Sequence, residues 1–176
     1  MKTVIACALV GVLVVVAAAG PLLPEARQMP DEVLSVAELK QVTIEVSPLQ
    51  SELKVLGANK ALAEQTFTEE LREIGLEVLE EQSTHIPHLV LTVRAKTDPK
   101  QPEAISIVTF LATEQEVDLK RLDRTFKLPT NVVVDVFLTT VGEANREVVN
   151  RVRHTVQLLG RAVRHGTTAL RGTRSE

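Results

Sequence analysis

Two stretches of the chain, 105–112 and 132–138, carry apolar side chains in both alternating registers of an extended backbone, Asp135 being the exception in the second. Short runs this rich in Val, Ile and Phe read as strands. Successive side chains of a strand point to opposite faces of its sheet. The sheet that holds these two strands therefore has apolar residues on both sides. Such a sheet either is covered twice or leaves one apolar face open.

The rest of the chain bears on which case applies. Val42, Ile44 and Val46 alternate with Gln41, Thr43, Glu45 and Ser47, a half-buried strand that Pro48 ends. The stretch 88–96 alternates in the same way through Leu89, Leu91, Val93 and Ala95, and Pro99 and Pro102 mark the turn after it. The strand from Ile105 continues through Val117 and Leu119 as a more polar arm, and 127–130, with Pro129, reads as a turn. Residues 76–79 predict a short strand.

Two helices complete the pattern. Asn59 is a candidate N-cap, because its side chain can accept from a free backbone N–H of the first turn. Ala63, Phe67, Leu71 and Ile74 then form one helical face, and Gly75 stops it. The second helix, about 143–165, repeats Val152, Val156, Leu159 and Val163, with Gly166 closing it. The order predicts an α+β fold: a two-layer sandwich with a mainly antiparallel four- to five-stranded sheet and two helices on one face. In the alternative, the first strand crosses over to pair in parallel.

The N-terminus reads as an address. After Met1 and Lys2, residues 3–19 carry no charge and end in Ala17-Ala18-Ala19, the layout of a secretory signal peptide cleaved after Ala19. An uncleaved membrane tether is the alternative, on a run slightly shorter than the ~20 residues a spanning helix needs. The expected organisation is a signal peptide (1–19), a linker containing Pro21, Pro24 and Pro30 (20–38, with a short helix at 31–38), the α+β domain (39–166) and a flexible tail (167–176). The expected location is exported, periplasmic or secreted. Cys7 is the only cysteine. A processed chain would have no disulfide, thiolate metal site or cysteine nucleophile.

Chemical motifs are missing. The chain has no phosphate-cradling glycine loop, nucleophile elbow or H-E-x-x-H. No catalytic residue, cofactor or metal ligand is assigned. His85 and His88 flank Ile86-Pro87, but two ligands do not make a zinc site, and a polar turn before a strand accounts for them. Aromatic residues make up 2% of the chain, which removes the stacking platforms of single-strand nucleic-acid binding. Nucleic acid is not expected as a partner.

Two surfaces remain. From Arg146 onward the chain holds seven arginines against Glu147 and Glu176, while the first helix carries Glu64, Glu69, Glu70 and Glu73. Arg146, Arg153, Arg161 and Arg164 fall near one helical face, a candidate contact for anionic lipid or lipopolysaccharide. Two helices of opposite charge facing each other account for the same pattern. The second surface is the sheet. With Ile105, Ile107 and Leu111 toward the helices, Val108 and Phe110 point away, and the next strand sends out either Val132, Val134 and Val136 or Val133 and Phe137. Val108, Phe110, Val133 and Phe137 are taken as the candidate protein contacts; in the alternative, the 21–38 segment or the polar arm folds back over that face.

The run Gly75-Leu76-Glu77-Val78, the strand opening Pro87-His88-Leu89-Val90, the long strand ending Val117-Asp118-Leu119 and the amphipathic terminal helix resemble small exported bacterial α/β proteins. Their element order over 39–166 is similar to that of the lipopolysaccharide-assembly lipoprotein family. The chain departs from it at Val4-Ile5-Ala6-Cys7, where the apolar segment lies mostly after the cysteine and not before it. No functional residue is carried across. The expected function is a non-enzymatic exported domain that binds another protein or itself. The alternatives are an envelope protein using the arginine strip, and an enzyme without a recognisable motif.

Overall fold

The structure, a computed structural model, describes residues 29–81, 83 and 85–173. The expected signal peptide, the first part of the expected linker and the last three residues of the expected tail lie outside them. The elements are α1 (Asp31–Leu34), β1 (Gln41–Val46), α2 (Ser51–Val55), α3 (Lys60–Glu73), β2 (Glu77–Leu79), β3 (His88–Asp98), β4 (Gln101–Leu119), β5 (Arg124–Thr140) and α4 (Ala144–Thr173), with one 3₁₀ turn (Val141–Glu143) before α4.

The five strands form one mixed sheet in the order β2-β1-β3-β4-β5. β1 lies parallel to both β2 and β3, whereas β3, β4 and β5 are successive antiparallel neighbours. Parallel pairing needs a crossover, and the α2–α3 segment supplies it between β1 and β2. The first strand thus takes the crossed-over arrangement. The architecture is the α+β sandwich expected.

Local sequence explains the helix boundaries. The Asn59 side chain accepts from the Ala61 N–H at 2.9 Å, and α3 starts there. It ends at Gly75 with φ of +91°, where the Leu76 N–H reaches Leu71 O and the Gly75 N–H reaches Arg72 O. That pair of bonds satisfies two of the last free carbonyls, and the left-handed turn between them suits glycine.

The core lies between the sheet and the helix layer. Phe67 and Leu71 of α3 and Val152, Val156 and Leu159 of α4 are buried with Leu89 and Leu91 of β3 and Ile105, Ile107 and Leu111 of β4. Thr109 and Thr155 meet through their hydroxyls at 2.7 Å, so the polar atoms of this sheet–helix contact satisfy each other.

Several boundaries differ from the sequence reading. The helix expected at 31–38 ends at Leu34, and β4 starts at Gln101, which puts Pro102 inside the strand. The turn before β5 is at 120–123, not 127–130. Pro129 lies inside β5, and the register slips by one residue between Thr113 and Glu114 of β4. Proline is tolerated because β5 is the outer strand and the bulge removes the need for its missing N–H. α4 does not stop at Gly166 but runs on to Thr173. A Cβ on Gly166 would lie 2.5 Å from Val33 O, so this glycine serves close packing rather than termination. The linker region also enters the fold: α1 packs on α4, and Val36 is fully buried. Finally, α2 places Leu53 in the core from a segment too short to show helical periodicity.

Candidate association surface

Strand register fixes which side chains share a face. Leu111 pairs with Val133, Thr109 with Asp135 and Ile107 with Phe137. Their neighbours Ala112 with Val132, Phe110 with Val134, Val108 with Val136 and Ser106 with Leu138 form the opposite face. α4 covers the first set, as the Thr109–Thr155 contact shows. Among the described residues no helix covers the second. Val134 is 48% exposed, Leu138 69% and Phe110 38%.

Val108 and Phe110 therefore point outward as expected, but Val133 and Phe137 do not. Val133 packs against the core, and Phe137 lies under the Arg151 guanidinium, 4.3 Å from the ring centroid. The outward residues of β5 are Val132, Val134, Val136 and Leu138. The physical reason is Asp135. It shares parity with Val133 and Phe137, and the charge needs the side where α4 offers partners. Arg151 Nη1 donates to Asp135 Oδ2 at 3.3 Å, and His154 Nδ1 lies 3.1 Å from the same oxygen. A lone acid in an apolar strand, with Arg151 off the main stripe of the final helix, is the sequence signal that selects the parity.

The open face has a charged rim. On β3, Val90 and Thr92 continue the apolar rows toward Ala112 and Phe110, and Arg94 and Lys96 pair with Val108 and Ser106. Both cations are exposed. The opposite end of the strands carries Glu45 beside Val90, and Glu114 beside His88. His88 is buried there, its Nδ1 2.9 Å from Thr43 Oγ1 and its Nε2 3.5 Å from Glu45. It is a structural post for the β1–β3 pair rather than a surface turn residue. His85 is exposed instead, 3.7 Å from Glu116. Among the described residues no cluster of His, Cys, Asp and Glu could hold a metal ion. A shallow groove of about 580 Å³ lies between the 85–87 loop and the polar arm, lined by His85, Glu116, Asp118 and Thr125.

The arginines are not one strip. Arg153 donates to Glu70 of α3, and that bond and charge raise its guanidinium above its ordinary pKa. Arg146 pairs with Glu143 at 2.7 Å and with Glu147 at 3.7 Å. Arg153 follows the helix-against-helix account, whereas the partners of Arg146 lie on its own helix and the turn before it. Arg161 and Arg164 are exposed, with no acidic partner among the described residues. No helix among those residues is long and apolar enough to cross a membrane.

No protein-family model and no curated protein matches the chain. Among solved structures it is similar to a minor lipoprotein from Acinetobacter baumannii, at 12% identity and a TM-score of 0.39, over 72% of this chain and 92% of that one.

Proposed function

We propose that this chain is an exported, non-enzymatic protein-association domain whose open sheet face is the contact surface. One observation carries the reading: Phe110, Val132, Val134, Val136 and Leu138 form a contiguous exposed apolar patch on a sheet whose other face carries the helices. Contiguous patches of this kind on a folded surface mark contact sites. Complete burial of such a side chain contributes ~1.5–3 kcal/mol; these are 38–69% exposed, so each has roughly half of that still to gain, and a few together hold a complex. The exported location rests on the uncharged run at 3–19, and the non-enzymatic reading on the missing motifs.

Site-specific photo-crosslinking in the producing cell tests this. A crosslinker replacing Phe110 should yield an adduct of one defined mass, whereas one replacing Gln157, exposed on the helix layer, should yield none. Equal yields from both positions, or no adduct from position 110, overturn it.

A second reading keeps the anionic contact, now reduced to Arg161 and Arg164. Co-sedimentation with vesicles of anionic phospholipid at low salt tests it: binding should fall steeply with salt and with Arg161→Gln/Arg164→Gln. No binding at low salt removes it.

A further inference from the structure

The open face is polar at both ends and apolar between: one end carries Arg94 and Lys96, the other Glu45 and Glu114, with Lys127 3.4 Å from Glu114. We infer that its occupant is a second copy of this chain, packed face to face about a two-fold axis that crosses the strands at Phe110, with Arg94 and Lys96 of each copy over Glu45 and Glu114 of the other. This deepens the association reading and rests on it.

The strand register supplies the geometry. Counted along β4, Lys96 lies beside Ser106 and Arg94 beside Val108, Thr92 lies beside Phe110, and Glu114 closes the face four residues beyond Phe110. Glu45 pairs with Val90, which pairs with Ala112. Phe110 is thus midway between the Lys96 row and the Glu114 row, and midway between the Arg94 row and the Glu45 row. A two-fold axis in the plane of the interface and perpendicular to the strands reverses each strand but leaves it above its own equivalent. It sets Lys96 above the row of Glu114, and Arg94 above the row of Glu45, one strand away in each case. The apolar columns of β4 and β5 fall on the same columns of the second copy. An axis along the strands would instead turn β5 toward β3, setting Val134 against Thr92 and keeping each charge in its own row. Face-to-face sheets stack ~10 Å apart, within reach of facing Arg and Glu side chains.

Area sets the strength. The strands are spaced ~4.8 Å and rise ~3.4 Å per residue. β3, β4 and β5 over eight residues, with the four residues of β1 that pair with β3, then give about 460 Å² per copy. Two copies bury about 900 Å², the size of a weak, transient interface. The dimer is therefore reversible and concentration-dependent. The exposed cations of β3 also argue against an unlike partner that is purely apolar, because burying them without acids is costly.

Charge exchange tests the inference on the full chain as its host processes it. Sedimentation velocity from about 1 to 500 μM should show a monomer–dimer equilibrium. Arg94→Glu/Lys96→Glu should weaken it at least tenfold, and Glu45→Lys/Glu114→Lys likewise. An equimolar mixture of the two variants should dimerise again within about threefold of the parent, because both charge contacts are then attractive. Should the lysine variant not fold, Phe110→Cys in a Cys7→Ser background stands in: a short bis-maleimide should link two copies at that position and not at Gln157→Cys. Dimerisation that ignores the charge variants and gives no linkage at position 110 assigns the contact elsewhere, such as the β5 edge, and overturns the inference. A monomer throughout, with Phe110 still crosslinking to one other protein in the cell, overturns the second copy but leaves the association reading standing. A monomer with no adduct at all ends both.

Discussion

Arg151 grips Asp135 across the seam between α4 and β5, 3.3 Å from nitrogen to oxygen, while its guanidinium lies on the Phe137 ring. The pair is mostly out of water, with side-chain exposures of 21% and 13%. It holds the odd-numbered residues from 131 to 139 of β5 toward the helix and so leaves the even-numbered valines outside. A side-chain period of two makes the choice all or none: a slip of one residue would exchange the two faces.

Arg151→Ala should therefore cost about 2 kcal/mol. Removing one partner of a fully buried ion pair costs ~3–5 kcal/mol, and the remaining exposure here lowers that. His154 stays near Asp135 and compensates in part. The urea midpoint reads the loss, and a change below about 0.5 kcal/mol would show that the pair does not anchor the strand.

Gly166 and Gly172 lie on the same helix but should respond oppositely to alanine. A Cβ at 166 meets the Val33 carbonyl at 2.5 Å and must push α1 away from α4, exposing Val36. At 172 a Cβ meets nothing within 4 Å. Gly166→Ala should lower stability by about 1–3 kcal/mol, and Gly172→Ala should raise it by up to ~1 kcal/mol through helix propensity. Thermal melts of both decide it; equal shifts would mean that the α1 contact is dispensable.

Elements with a strong local signature are legible in the chain itself. Asn59 and Gly75 bracket α3, the alternation from Leu89 to Ala95 gives β3, and the two-sided apolarity of β4 and β5 shows that two helices on one face cannot cover the sheet. What is not legible depends on distant contacts. Gly166 has the local signature of a helix stop, and only Val33, far away in sequence, turns it into a packing position. Pro129 has the signature of a turn, and only its place on an outer strand with a bulge lets it stay in β5. Period two alone does not say which parity faces inward, so the pattern leaves both open, and taking Val133 and Phe137 as the outward set chooses the wrong one. The charged rim is hidden for the same reason: Arg94, Lys96, Glu45 and Glu114 share a face only once β1 and β4 flank β3.

The Thr109–Thr155 contact has a direction, and mutation should expose it. Thr155 Oγ1 also lies 2.8 Å from Arg151 O, which can only accept. The Thr155 proton therefore goes to that carbonyl, and Thr109 donates to Thr155. Thr109→Val leaves Thr155 satisfied and should cost under about 1 kcal/mol. Thr155→Val strands a fully buried donor on Thr109 and should cost about 1–3 kcal/mol. The double variant should be no less stable than Thr155→Val alone. Chemical denaturation of the three proteins measures this, and a Thr109→Val cost equal to or above that of Thr155→Val would overturn the donor assignment.

Val132 and Val133 are neighbours in sequence on opposite sides of the sheet, and the same substitution separates them. Val132 is 50% exposed, so Val132→Asp keeps its carboxylate in water in the free chain and should change folding stability by less than about 1 kcal/mol. Val133 pairs with fully buried Leu111 and packs against the core. There an aspartate loses apolar burial and adds a second acid beside Asp135, so Val133→Asp should cost more than about 3 kcal/mol. The two effects should part again in association. Val132→Asp, folded and charged on the open face, should lose the adduct at position 110, whereas Val133→Ala, a milder loss on the helix side, should keep it. Circular dichroism melts and crosslinking on the same two proteins report both properties, and an adduct that survives Val132→Asp would place the contact away from this face.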